Sequence, residues 1–130
     1  MKSDLPAIIH EVGFDFNWDN SKVWQLDVPV EDMLIDKLIW HLDYPFIWPI
    51  PAGHKEVTPK QVLADPKKHS KEYQRTINAD TTFPIDIMFW KNKWLILDGL
   101  HRLMQQVDTG REIVKVRKIP KSVIPKIRKD

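Results

Sequence analysis

The stretch PIDIMFWKNKWLILDGLHRLMQQVDTGREIVKVRKIP, residues 84–120, decides how this chain folds. Its first part holds two short apolar runs, within FPIDIMFW and KWLILD, separated only by KNK. Runs of that length divided by so short a polar break predict two strands joined tightly. In GLHRLMQQVDTG the apolar residues Leu100, Leu103, Met104 and Val107 recur at i, i+3, i+4 and i+7, which predicts a helix, and Gly110 supplies its C-terminal stop. EIVKVRKIP then alternates Val114 and Val116 with Lys115 and Arg117 and returns as a strand. Strand, strand, helix, strand predicts an α/β (α+β) domain, a small mixed sheet with helices packed on it.

Working toward the N-terminus, the pattern is less regular. TPKQVLADP offers Thr58 as an N-cap and Pro59 at the first helical position, and a further helix is expected through KKHSKEYQRTINA. YPFIWPIPAGH carries too many prolines for a regular element and reads as a rigid, aromatic-rich loop. VEDMLIDKLIWHL spaces Met33, Leu34, Lys37, Leu38 and Leu42 in a helical rhythm. HEVGFDF and KVWQLDV alternate apolar residues on either side of NWDNS, so residues 1–28 are expected to form an N-terminal hairpin extension. The whole chain, residues 1–130, is expected to be one domain ending in a basic tail at 121–130.

Composition narrows the function classes. A chain of 130 residues can bury roughly two-thirds of its unfolded surface, and 42% hydrophobic with 29% charged residues suits a globular protein. The lack of cysteine excludes disulfides, thiolate metal sites and cysteine nucleophiles. The five histidines show no metal-ligand spacing. No run approaches the roughly 18 apolar residues of a membrane span, and MKSDLPAIIHEVGFDFNWD lacks the features of a secretion signal, so a cytoplasmic protein is expected. The net charge of +2 hides an asymmetry: residues 111–130 carry eight Lys and Arg against two acidic residues. Such a segment either follows phosphates on DNA or is a solvated face, and the want of interleaved aromatics favours the face.

DGLHR, residues 98–102, breaks a local rule. It puts His101 and Arg102 in the first turn of a helix, beside free N–H groups and the positive end of the helix dipole, where cations fit worst. An anion bound there would reverse the penalty, because amides, imidazole and guanidinium would converge on one phosphate. Gly99 would let the backbone approach the ligand, and Asp98, at the carboxyl end of its strand, would hold magnesium or accept a proton. Asp-Gly before a helix is also ordinary turn chemistry, with the two basic residues facing solvent or paired with carboxylates. Trp40, Trp48, Trp90 and Trp94 divide in the same way between a base-stacking platform and core packing, and packing is the commoner use.

Residues 84–120 resemble the ParB/sulfiredoxin superfamily in their Pro-Ile strand, second strand, Gly-X-His-Arg turn, helix and closing strand. VWQLDVPVEDM is similar to that family's first strand. The resemblance implies that Gly99, Leu100, His101 and Arg102 bind the phosphates of a nucleoside triphosphate, ATP or CTP, with Asp98 near the transferred group and magnesium as the metal. Leu100 stands where sulfiredoxins carry their cysteine, which excludes that chemistry. The ten residues after Pro120 do not hold the DNA-binding and dimerisation domains of partition proteins. DGLHR is nearest to the Asp-Gly-His-His-Arg turn of free-serine kinases. A small-molecule phosphotransferase or NTPase is therefore expected, and the competing expectation is a non-catalytic module in which nucleotide gates association with DNA or a protein. For the group that orients or deprotonates an acceptor, His41 and Asp43 in WHLD are the candidates, with Asp80 and Asp86 as further carboxylates expected to be a cap and an exposed strand position.

Overall fold

The computed structural model describes residues 7–47 and 57–129. Its framework is a four-stranded sheet built from β1 (Val30–Leu34), β2 (Ile85–Trp90), β3 (Lys93–Asp98) and β4 (Ile113–Lys118), in the spatial order β1-β4-β2-β3. β2 and β3 form the expected antiparallel hairpin. Lys91 and Asn92 at its tip both have positive φ, 49° and 65°, the backbone of a two-residue turn whose twist matches the strands. The chain then rises through helix α5 (Leu100–Asp108) and returns as β4, parallel to β2 on its other side. β1 closes the far edge antiparallel to β4, so the sheet is mixed and the fold is α+β.

The burial of β2 follows from its central place. Ile85 and Ile87 join Leu103, Val114, Val116, Ile35 and Leu38 in one apolar cluster, while Met88 joins Phe16, Val23, Leu97, Ile119 and Ile127 in another. Successive residues of a strand point to opposite faces, so a strand covered on both sides reads as one continuous apolar run. A third cluster, Ile47, Val57, Val62 and Met104, packs α5 against helix α3 (Pro59–Ala64). α3 starts as its sequence predicts: Thr58 accepts from Gln61 N, and the Gln61 side chain accepts from Thr58 N. Helix α4 (Ser70–Ile77) follows and lies along α5.

The N-terminal hairpin is not formed. Helices α1 (Ala7–Val12) and α2 (Asn20–Trp24) take its place. Asp19 explains the difference, since its carboxylate accepts from Ser21 N at 2.9 Å and starts a helix where a hairpin turn was expected. Val23 is buried by that helix and Trp24 is left exposed, the reverse of the alternating pattern. Phe14 and Phe16 pack with Trp18 and Trp90 at centroid distances of 5.0–5.8 Å, so their spacing serves an aromatic cluster.

VEDMLIDKLIWHL is not one helix either. It is β1 followed by two 3-10 turns, Ile35–Lys37 and Ile39–Asp43. Asp32 pairs with Lys115 and Glu31 with Lys118, so carboxylates of β1 meet cations of β4 and the sheet outcompetes the helical rhythm. The same pairs, with Arg117–Asp86, absorb much of the basic C-terminal charge within the fold. The tail is also folded in. A 3-10 turn at Lys121–Val123 leads into helix α6 (Ile124–Ile127), whose Ile127 is fully buried, and Trp18 forms an isolated bridge with Arg128. The proline-rich loop falls mostly on residues 48–56, outside the described residues, as does Trp48. Among the described residues no helix is long and apolar enough to cross a membrane.

Candidate functional site

β3 delivers Asp98 to the sheet end, and Gly99 turns the chain into α5 with φ 115° and ψ 21°. A side chain at Gly99 would be tight: its Cβ would lie 3.2 Å from Arg102 Nη1 and 3.2 Å from Ile85 Cγ2. Gly99 is also the N-cap and provides no side chain to cap the first-turn amides. The turn opens into a cleft of about 1290 Å³ bounded by the N-terminal aromatic segment, the C-terminal end of α4 and the start of α5. Arg75, Arg102 and Lys129 bring positive charge to its walls, and Asp15, Asp80 and Asp98 bring negative charge.

Arg102 is held inside the turn. Its Nη1 donates to the Pro84 carbonyl at 3.0 Å and lies 3.6 Å from Asp98 Oδ2, while its guanidinium sits 5.7 Å from the Phe83 ring centroid. Asp98 in turn accepts from the Trp24 indole at 2.7 Å. An indole donor and a guanidinium around one carboxylate compete with a divalent cation, and no group of three metal-ligating side chains occurs among the described residues. That donor set does not fit a resident magnesium ion.

His101 has a partner that the sequence did not announce. Its Nε2 lies 2.9 Å from Oε2 of Glu72 on α4, a carboxylate only 8% exposed. Arg75, one turn on, reaches both oxygens of Glu72 at 3.3 and 3.4 Å. Burial holds the His101 imidazole below its ordinary value, with Arg75 adding to the effect and Glu72 opposing it. The lowered pKa favours the neutral ring, whose Nε2–H donates to the Glu72 carboxylate, so this nitrogen is engaged within the fold. Farther along α5, Gln105 donates to the carbonyls of Thr76, Ile77 and Ala79 at 2.9–3.1 Å. Of the alternatives for His101 and Arg102, a ligand, solvent or nearby carboxylates, the structure shows carboxylate partners for both, and the polar side of α5 is partly a seam against α4. Glu72 left one sequence signal: it shares the inward stripe of α4 with Thr76, four residues on, and both are buried.

Of the residues proposed to act on an acceptor, His41 and Asp80 line the cleft and Asp43 and Asp86 do not. His41 is 1% exposed, with Nδ1 2.7 Å from the Leu38 carbonyl and Nε2 accepting from Ile96 N at 3.1 Å. Both ring nitrogens are spent on backbone, and burial pushes its pKa down to about 4. His41 ties a 3-10 turn to β3 and has no nitrogen left for a substrate. Asp43 has a side chain 62% exposed, pairs with Lys60 at 3.7 Å and does not line the cleft. Asp80 caps a turn, accepting from Thr82 N and Oγ1. Asp86 is not an exposed strand position. It is buried, raised by that burial, and bonded to Arg117 Nε at 2.7 Å, while the rest of the guanidinium holds the carbonyls of Leu26 and Val23.

Tryptophans 40, 90 and 94 do not form a platform in the cleft; its aromatic lining is Phe14, Phe16, Trp18, Phe46 and Phe83. Trp90 and Trp94 pack against the clusters on either side of the sheet. Trp40 donates its indole N–H to the Trp94 carbonyl at 3.2 Å, and Trp18 donates to the Leu97 carbonyl at 3.1 Å. With His41, these side chains hold the strand β3 at the sheet edge. Comparison with family models, curated proteins and solved structures found no match to this chain.

Proposed function

We propose that the cleft binds a nucleoside triphosphate, ATP or CTP, with its phosphates at the start of α5. The observation that carries this reading is the glycine-capped N-terminus of a nine-residue helix opening into a cleft large enough for a nucleotide, with Arg75 and Arg102 on the wall. First-turn amides without a side-chain cap are donors for phosphate oxygens, and the dipole favours the same sign of charge. The Arg75 side chain is 50% exposed and free to turn from Glu72 toward a phosphate, and the Phe14, Trp18 and Phe46 rings provide flat apolar surface for a base. Arg102 acts mainly by holding the turn, because its guanidinium is already divided among Asp98, Pro84 and Phe83. Magnesium enters this reading only as a counter-ion carried by the triphosphate.

Calorimetry with ATP and CTP tests the reading on the wild-type chain and on Arg75→Gln. Loss of one charged hydrogen bond predicts weaker binding by about 1.5–3 kcal/mol. Equal affinity in the two proteins, or heat from neither nucleotide, removes the assignment. A phosphotransferase or NTPase is the second reading, and the observation that favours it is the buried Glu72 beside His101.

A further inference from the structure

The seam between α4 and α5 contains a pair that phosphate binding does not require. Glu72 fixes the proton of His101 on Nε2, so the lone pair resides on Nδ1. Among the described residues Nδ1 has no hydrogen-bond partner, and it is not among the buried side-chain atoms left without one. Nδ1 is therefore accessible, and the residue that carries it lines the cleft. A carboxylate that orients one nitrogen of an imidazole, with the other nitrogen turned to a cavity, is the geometry of a general base. The residue sits in the first turn of the helix where the terminal phosphate is placed, and Arg75 and Arg102 line the same cleft.

We propose that His101 is a general base, positioned by Glu72, that activates water for hydrolysis of the terminal phosphate of a bound nucleoside triphosphate. This rests on the nucleotide reading given above. Water gives one proton to Nδ1 as its oxygen bonds to the γ-phosphorus. The bond from that phosphorus to the bridging oxygen breaks, and the electron pair leaves on the nucleoside diphosphate. The products are the diphosphate and inorganic phosphate, nothing is oxidised or reduced, and the extra proton on His101 returns to solvent. Glu72 stabilises the transient imidazolium, and the Arg75 guanidinium offsets charge on the group in transfer. The charged groups around His101 are Glu72 and Arg75 from α4, Asp98 and Arg102 from its own turn, and Asp80, Asp15 and Lys129 from the cleft walls. The lowered affinity of the ring for protons, caused first by its burial, favours the base form.

The test measures phosphate release from the magnesium salts of ATP and CTP by the full chain, alongside calorimetric binding, for wild type, His101→Ala and Glu72→Gln. His101→Ala is expected to lower kcat by about 10²–10⁴-fold with KM changed only a few-fold. Glu72→Gln retains an oxygen acceptor for Nε2–H but loses the charge that raises the imidazole pKa. Its kcat falls and the acid limb of its pH profile moves to lower pH, a shift that a merely structural role would not produce. Wild-type protein that binds nucleotide and releases no phosphate overturns the assignment of His101 as a base and leaves the binding reading standing. Turnover unchanged in His101→Ala, or an unmoved acid limb in Glu72→Gln, overturns it too. Absence of nucleotide binding overturns both readings together.

Discussion

Replacing Gly99 by alanine separates two effects that meet at the turn before α5. At φ 115° and ψ 21° the backbone lies beyond the small left-handed basin near +57° that other residues tolerate. Strain alone costs about 1–2 kcal/mol, partly offset by the smaller entropy of an unfolded alanine. The new Cβ would also press on Ile85 at 3.2–3.3 Å and on the Arg102 guanidinium at 3.2 Å, and overpacking of that kind costs about 1–3 kcal/mol. The net loss is about 2–4 kcal/mol. Gly110 is the internal control. Its φ is 78°, and a Cβ there meets nothing within 4 Å, so Gly110→Ala carries strain without crowding and costs about 1 kcal/mol. Urea unfolding monitored by tryptophan fluorescence reads both. With an m-value of about 2 kcal/mol/M, Gly99→Ala lowers the midpoint by about 1–2 M and Gly110→Ala by about 0.5 M. Equal shifts would refute the reasoning, because they would mean that the close approach of the turn to β2 contributes nothing.

Acid provides a second perturbation. The folded state refuses His41 the proton that an unfolded imidazole accepts below about 6.5, so stability is complete above that pH and declines as pH falls toward about 4. The decline amounts to about 3 kcal/mol, His101 adds to it in the same direction, and His41→Gln flattens the urea midpoint against pH across this window. A slope identical in wild type and variant would remove His41 as its source. At the other end of the chain, Ile127→Ala is expected to cost about 2–5 kcal/mol in the same unfolding assay, since the side chain is fully buried against Val23, Met88 and Ile119. Unchanged stability would return residues 121–130 to the status of a solvated basic tail.

What the sequence made readable follows from how far apart the interacting residues lie. β2, β3, α5 and β4 could be read because each carries its own period and each is bounded by residues with a local role, such as Asn92 in the hairpin and Gly110 after the helix. Periodicity hid β1 inside a helical rhythm, because its pairing with β4 joins residues 79 to 87 positions apart. The N-terminal segment misled because Asp19, Asn20 and Ser21 suit a turn and a helix cap equally well. At the site, the Asp98–Arg102 turn announced itself by misplaced cations. Its partners did not: Glu72 lies 29 residues before His101, and Trp24 lies 74 before Asp98. Spacing alone does not reveal that an exposed-looking imidazole is largely buried against a carboxylate, or that a candidate base at His41 has given both nitrogens to the backbone.

The outer rim of β3 has a consequence for how copies of this protein meet. Trp40 occupies the Trp94 carbonyl and His41 the Ile96 amide, so the polar groups by which an unprotected border strand would recruit a neighbour are already taken. One of those clasps is acid-labile. A protonated His41 would present N–H to N–H at Ile96, so that clasp would open in acid while those of Trp40 and Trp18 stay closed. Acid thus loosens the border of β3 at one point, through a single imidazole whose burial keeps it unprotonated at neutral pH.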